Sequence, residues 1–253
     1  MYAEERQAAI VARARSEGRV DVAALASALE VTPETIRRDL TVLERAGVLR
    51  RVHGGAIPVE RLGFEPAVGT RENVATAEKV AIAKAALNEL PMEGAVALDA
   101  GTSTLRLAEL IPDDRELTVV TNGLPHAMLL AGRANLTVHL VGGRVRARTL
   151  ATVDEATVAF LRDLFVDVAF IGTNGVSVER GLTTPDRAEA STKRALIGAA
   201  RRSVVLADHT KVGVDHFAAF AELADVDVVI SDAGIDPTLA ADIEAAGPRV
   251  VRA

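Results

Sequence analysis

Two hydrophobic periodicities divide the chain. In residues 3–16 charged and apolar groups interleave at helical spacing, with Ile10, Val11 and Ala14 on one side and Gly18 ending the run. Asp21 can cap a second short helix over residues 22–29, whose Ala24, Leu25 and Leu29 face the first. The third stretch, VTPETIRRDL at residues 31–40, is sharper. Ile36, Leu40 and Leu43 fall at i, i+4 and i+7, Thr32 suits the N-cap, and Pro33 sits where a missing N–H costs nothing. Gly47 closes this helix. Residues 48–52 and 56–58 then read as two short strands about the turn His53-Gly54-Gly55. Three helices followed by a two-stranded wing predict a winged helix-turn-helix domain over residues 1–57.

From residue 58 to 73 the periodicity lapses, and Gly63, Pro66 and Gly69 mark a linker. Beyond it, over residues 74–253, short apolar runs alternate with helix-length segments. The runs are residues 96–99, 117–121, 138–141, 166–171, 203–207, 226–231 and 249–251. Such alternation predicts an α/β domain with a largely parallel sheet, whose ligands bind at the carboxyl ends of the strands.

Composition narrows the chemistry. The 253 residues contain no cysteine, which excludes disulfides, thiolate catalysis and Cys-ligated zinc, and the five histidines lack HExxH-like spacing. No metal or cofactor site is expected. No apolar run is long enough to span a bilayer, and MYAEERQAAI lacks the layout of a signal peptide, so the expected location is the cytoplasm. The net charge of -6 is unevenly shared. Residues 1–57 hold nine basic and eight acidic residues, net +1, leaving 20 basic and 27 acidic residues, net -7, for the remainder. Only the first domain suits a polyanion.

Within that domain the apolar stripe of the third helix turns Arg38, Thr41 and Arg45 outward and leaves Arg37 on the flank. Third helices of this plan enter the major groove, where arginine reads guanine through O6 and N7. Arg37, Arg38, Thr32, Thr35 and Thr41 are the candidates for base and phosphate contacts, with Arg50, Arg51 and His53 added from the wing. An isolated Arg-Arg pair is usually just a solvated helix face. A capped third helix followed by a basic hairpin has few other uses. The pattern VTPETIRRDLTVLERAGVLRRVHGGA resembles the N-terminal signature of the DeoR family of bacterial transcription regulators, and the opening MYAEERQ is similar to the DeoR-type regulators of fructose operons.

In the second domain the polar residues of interest gather at strand ends. Asp99, Gly101, Thr102, Ser103 and Thr104 follow a strand and open a helix, so backbone N–H groups and three hydroxyls are expected to face one point, a phosphate cradle. The loop lacks the lysine of a Walker motif and does not fit GxGxxG. Thr121 and Asn122 follow the next strand, Gly142 and Gly143 the one after, and Gly172 and Asn174 the middle one. Asp186 leads into a helix holding Glu189 and Lys193, and Asp208 and Lys211 end a further strand. Any one of these is ordinary turn chemistry. Six together suit a polyhydroxylated anion, a sugar phosphate.

The segments EKVAIAKAAL, LDAGTSTLRLAEL, VVTNG, LVGGR, FIGTNGV, GLTTPDRAEASTKRALI and LADHTKVG extend the DeoR resemblance through the rest of the chain. It implies a sensor domain of phosphosugar-isomerase-like fold, with the phosphate at residues 99–104 and Lys211 matching a later isomerase lysine. It implies a repressor of a sugar uptake or catabolism operon that a phosphorylated sugar releases, with fructose 1-phosphate suggested by MYAEERQ. It also implies a homo-oligomer, dimer or tetramer, on double-stranded operator DNA. Glu189 lies where an isomerase would keep its general base, while Gly172 and Asn174 replace an acidic pair and cannot titrate near neutrality. Binding without turnover is therefore expected, and the alternative is an active isomerase with a fused docking domain. An RNA-binding or protein-binding winged helix is disfavoured, because only 3% of residues are aromatic. Asp154 departs from the resemblance, standing where these regulators often have glycine.

Overall fold

The computed structural model describes residues 3–17, 19–52, 54–58 and 65–253. Packing divides the chain into two compact units, Met1–Val74 and Ala75–Ala253.

The first unit runs α1 (Ala3–Glu17), β1 (Val20–Asp21), α2 (Val22–Ala28), α3 (Pro33–Arg45), β2 (Leu49–Val52) and β3 (Gly55–Pro58). Its caps follow the sequence. The Asp21 carboxylate accepts from the N–H groups of Ala23 and Ala24, and the Thr32 hydroxyl accepts from that of Thr35. Gly47, at φ 70°, closes α3 by donating to the Glu44 carbonyl, while Val48 donates to that of Leu43. Ile10, Ala14, Leu25, Ile36, Leu40, Leu43 and Leu49 form the core. Ala24, expected inward, is exposed. The inner stripe of α2 is Val22, Leu25, Ala26 and Leu29, at i, i+3, i+4 and i+7, and that spacing leaves Ala24 outside.

Two features here lie beyond hydrophobic patterning. Asp39 is buried on α3 and bound by Arg6, with Nε at 2.5 Å, and by Gln7 Nε2 at 3.0 Å, which pins α1 to α3. The wing has a third strand, because β1 pairs with β3 in the order β1-β3-β2. That pairing requires Gly55, where a Cβ would lie 1.9 Å from the Val20 carbonyl oxygen. Gly18, His53 and residues 59–64 lie outside the described residues. The rest of the expected linker is not irregular throughout: it holds helix α4 (Val68–Glu72), and Glu65 is buried in an ion pair with Arg71 at 3.3 Å.

The second unit begins with α5 (Thr76–Ala86), β4 (Glu93–Leu98), α6 (Thr102–Leu110), β5 (Glu116–Thr121), α7 (Leu124–Leu130) and β6 (Leu136–Leu140). A hairpin of β7 (Arg144–Arg146) and β8 (Ala151–Val153) follows, then α8 (Glu155–Arg162), β9 (Val166–Gly172), β10 (Gly175–Ser177), β11 (Gly181–Thr184) and α9 (Arg187–Gly198). The chain closes with β12 (Ala200–Leu206), β13 (Ala218–Ala221), β14 (Val228–Ser231), α10 (Pro237–Ala245) and β15 (Arg249–Arg252). All seven strand-like runs of the sequence become one sheet, β15-β14-β12-β9-β4-β5-β6, and every pairing in it is parallel. Alternate residues of its strands feed an apolar layer on each face, as Phe170 and Ile171 do from β9. From β4 the chain winds outward to β5 and β6, then returns to β9 on the other side of β4. The order reverses at β4/β9, and the carboxyl ends of the strands at such a reversal are where open α/β sheets hold their ligands.

Asp154 precedes α8 at φ 90° and ψ −175°, a backbone region open essentially to glycine alone. Its carboxylate meets Arg144 at 2.6 Å. That solvent-screened pair offsets little of the strain, which is of order 1–3 kcal/mol. Asp154→Gly is therefore expected to raise the midpoint of thermal unfolding, by roughly 2–4 °C per kcal/mol relieved. An unchanged or lower midpoint in calorimetry would show that the backbone there is not strained.

Candidate nucleic-acid interface and effector site

On the first unit, the buried Ile36, Leu40 and Leu43 leave Arg37, Arg38 and Arg45 exposed on α3. Arg37 is steadied by Glu34 at 3.2 Å, and the Thr41 hydroxyl donates to the Arg37 carbonyl at 2.8 Å. Arg50 and Arg51 are exposed on β2. Arg51 Nη1 reaches Thr41 Oγ1 at 3.5 Å, and its backbone N–H donates to Glu44, so wing and helix present one basic face. Thr32 and Thr35 sit at the start of α3, their hydroxyls 2.9 Å apart.

In the second unit the carboxyl ends of β4 and β9 meet at a buried ion pair. Asp99, just after β4, binds Lys193 of α9 and accepts the Gly172 N–H at 3.0 Å. Lys193 also donates to the Gly172 carbonyl at 2.9 Å, and its ammonium lies 5.7 Å from the Phe220 ring centroid. These contacts tie the loop after β4 to the end of β9. Lys193 was not among the sequence candidates, since a lysine in mid-helix carries no local signal of burial.

Above the pair, residues 99–104 lead into α6. The expectation that all three hydroxyls face one point is corrected at Thr104. The Thr104 hydroxyl turns inward, donating to the Asp99 carbonyl at 2.5 Å and accepting the Gly101 N–H at 3.0 Å. Thr102 and Ser103 form the first turn of α6, and Ser103 Oγ is buried with no hydrogen-bond partner among the described residues. Thr121 and Asn122 also serve as scaffold. The Thr121 hydroxyl donates to the Leu98 carbonyl at 2.7 Å, while Asn122 accepts from the Ala100 N–H at 3.0 Å and donates to the Thr152 carbonyl at 3.1 Å. The side chains of both strand-end residues are thus consumed in holding the loop.

Glu189 lies one turn before Lys193 on α9 and is buried. Its carboxylate is engaged by Arg146 of β7 at 3.0 Å and by the Thr149 hydroxyl at 2.5 Å. Arg146 also meets Asp186, the N-cap of α9, at 3.1 Å. A carboxylate bridged by a guanidinium is poorly placed to take a proton from a ligand. Neither Arg146 nor Thr149 stands out in the sequence, because only the hairpin brings them to α9. Of the glycines, Gly142 accepts the Thr157 hydroxyl at 2.8 Å, and Gly143 has φ 145° where a Cβ would crowd Thr157 at 2.1 Å. Asn174 Oδ1 accepts from Thr184 at 3.1 Å.

After β12, Asp208 is buried rather than at the surface, with Lys211 at 3.4 Å and the Thr210 hydroxyl at 2.5 Å. Burial works against its ionisation, but Lys211, Thr210 and Lys79 outweigh that, and its pKa falls below the ordinary value. His126 of α7 is buried beneath the 99–104 loop. Burial, opposed in part by the Asp99 charge and the Gly101 carbonyl, lowers its pKa to about 4. The unfolded chain then takes up a proton near 6.5 that the fold refuses until about 4. Stability contributed by the neutral ring is accordingly present above pH 6.5 and lost as pH falls through this window, by roughly 3 kcal/mol. Urea unfolding at pH 7, 5.5 and 4.5 is expected to show this slope in the wild type and a flatter one in His126→Gln. Equal slopes would remove His126 as its source.

No helix among the described residues is long and apolar enough to cross a membrane. Residues 6–61 match the family described as the DeoR-like helix-turn-helix domain, and residues 74–233 match the DeoR C terminal sensor domain. The chain is 39% identical over 236 residues to the HTH-type transcriptional regulator GlpR of Haloferax volcanii, covering 93% of this chain and 92% of that protein. It is 36% identical over 233 residues to the uncharacterized HTH-type transcriptional regulator FruR of Bacillus subtilis, covering 92% of each. It is 33% identical over 232 residues to the transcriptional repressor AccR of Agrobacterium fabrum, covering 91% of this chain and 90% of that one. The chain belongs to the DeoR family, and it is a DNA-binding transcription regulator, not an enzyme, in which a helix-turn-helix domain is joined to a C-terminal sensor domain.

Proposed function

We propose that the protein represses a sugar uptake or catabolism operon, and that a phosphorylated sugar held at the carboxyl ends of β4 and β9 lowers its affinity for the operator. The observation that carries this reading is the 99–104 loop. The start of α6 offers backbone N–H groups to an anion, Ser103 Oγ has no partner among the described residues, and the loop is braced from below by Thr104, Asn122 and the Asp99–Lys193 pair. In this reading Gly101, Thr102 and Ser103 meet the phosphate. Lys211 supplies a cation, and Asn174, Gly172 and the Gly142-Gly143 turn border the sugar. Fructose 1-phosphate is the first candidate. The ligand is held without turnover, since Glu189 is engaged by Arg146, and Gly172 and Asn174 offer no titrating group.

Repression is supported by AccR, which is named a transcriptional repressor. Two half-sites require two reading helices, so the protein acts as a homo-oligomer, dimer or tetramer. Release needs only that the sugar favour the DNA-free geometry by about 1–3 kcal/mol, which lowers operator affinity about 5–150-fold.

The test pairs two variants against two ligands. Arg38→Ala is expected to lose at least about tenfold in affinity for a DNA fragment bearing its own operon's promoter, with sugar-phosphate binding unchanged. Lys211→Ala and Ser103→Ala are expected to do the reverse. Normal promoter affinity of Arg38→Ala in an anisotropy titration would sink the α3 assignment. A thermal-shift response to fructose 1-phosphate and related sugar phosphates that is equal in wild type and Lys211→Ala would misplace the pocket.

A further inference from the structure

His126 is an ionisable ring sealed into the interior directly beneath the 99–104 loop, with 2% of its surface exposed. Its Nε2 lies 3.1 Å from Thr104 Oγ1, and its Nδ1 is buried with no partner among the described residues. Room for the ring is made by Gly123, where a Cβ would stand 2.5 Å from Nδ1.

The hydrogen bonds around Thr104 decide which ring nitrogen carries the proton. A hydroxyl has one proton to give and two lone pairs. The Thr104 proton is shared between two carbonyls, Asp99 at 2.5 Å and Gly101 at 2.8 Å, and one lone pair accepts the Gly101 N–H at 3.0 Å. What remains is a lone pair, so the contact with His126 requires Nε2 to donate. The opposite tautomer would set two acceptors against each other at Thr104 and orphan a buried N–H at Nδ1. An orphaned buried N–H is among the rarest defects of folded proteins, whereas a bare lone pair is tolerated more often. Charging the ring would leave that same Nδ1–H without an acceptor.

We infer that His126, fixed as the neutral Nε2–H tautomer, is a positioning residue that completes the shell of Thr104 and so sets the shape of the loop that receives the effector's anionic group. The Thr104 hydroxyl is then saturated by the Asp99 and Gly101 carbonyls, the Gly101 N–H and the His126 ring, and cannot turn toward a ligand. The loop's remaining polar groups, the Ser103 hydroxyl and the N–H groups opening α6, keep their direction. The motif Thr121-Asn122-Gly123 falls into the same scheme, with Asn122 holding Ala100 and Gly123 admitting the ring. This inference rests on the proposed effector site for its functional meaning, but its physical content is testable on the free protein.

The test compares wild type with His126→Gln, His126→Asn and His126→Leu. Glutamine can place an N–H donor near Nε2, whereas the shorter asparagine reaches only as far as Nδ1. Long-range ¹H–¹⁵N spectra of the full chain are expected to show the Nε2–H tautomer. Amide exchange at Gly101 is expected to stay near the wild-type rate in His126→Gln and to quicken about tenfold in His126→Asn and His126→Leu, the loss of one hydrogen bond. Binding of inorganic phosphate and of fructose 1-phosphate, measured by calorimetry, is expected to weaken in the same two variants and to be rescued in His126→Gln. A protonated Nδ1 overturns the inference, as does a glutamine variant that behaves like leucine. Failure of wild type to bind either phosphate compound strikes the proposed effector site instead, while the tautomer and the exchange rates still decide the role of His126.

Discussion

The sensor unit depends on one buried contact, the ion pair between Asp99 and Lys193. Two charges removed from water stay ionised only if each is paired and hydrogen-bonded, and breaking such a pair by removing one partner costs about 3–5 kcal/mol. Here the pair is completed on both sides by Gly172, whose N–H serves the carboxylate and whose carbonyl serves the ammonium. Because Asp99 follows β4 and Gly172 ends β9, the four groups join the two strands at the reversal of the sheet order. The ion pair also removes Asp99 from the chemistry available to a ligand.

The element that delivers Lys193 organises the rest. Asp186, Glu189 and Lys193 are spaced three and four apart, so they share one face of the first turns of α9. Each is engaged by a different neighbour. Asp186 caps the helix and meets Arg146, Glu189 takes Arg146 and Thr149, and Lys193 takes Asp99. The β7–β8 hairpin is thereby fastened to the same helix face that fastens the sheet. An enzyme built on this frame would need at least one of these groups free to exchange a proton. All are held in ion pairs, which suits a pocket that reports occupancy through shape rather than one that transforms what it holds.

Much of this was legible in the sequence, and the exceptions share a cause. The seven strands of the main sheet were readable because each is buried on both faces and written as an apolar run. The strands β7, β8, β10, β11 and β13 are three or four residues long, too short for alternation to register, yet β7 carries Arg146. On α3 the stripe of Ile36, Leu40 and Leu43 and the cap at Thr32 were plain. Asp39 was not, because its burial is made tolerable by Arg6 and Gln7 from a different helix. Strand-end motifs showed where polar groups gather but not which way they point. Thr102 and Thr104 are indistinguishable by residue type, and only the position of the Asp99 carbonyl and of His126 turns Thr104 inward.

That inward turn bears directly on the proposed effector site, a loop of small polar residues. Short hydroxyl side chains readily bond their own backbone, and left alone they would satisfy the N–H groups of the following helix and close the cradle. Two arrangements prevent this. Thr104 is drawn toward the Asp99 carbonyl and His126, and the Ala100 N–H is taken by Asn122 from the neighbouring strand. The loop is therefore satisfied by Asp99, Asn122 and His126, and the Ser103 hydroxyl is left without a partner among the described residues. In the proposed effector site, anion affinity would rest on the buried Thr104, Asn122 and His126 as well as on the residues that make the contact.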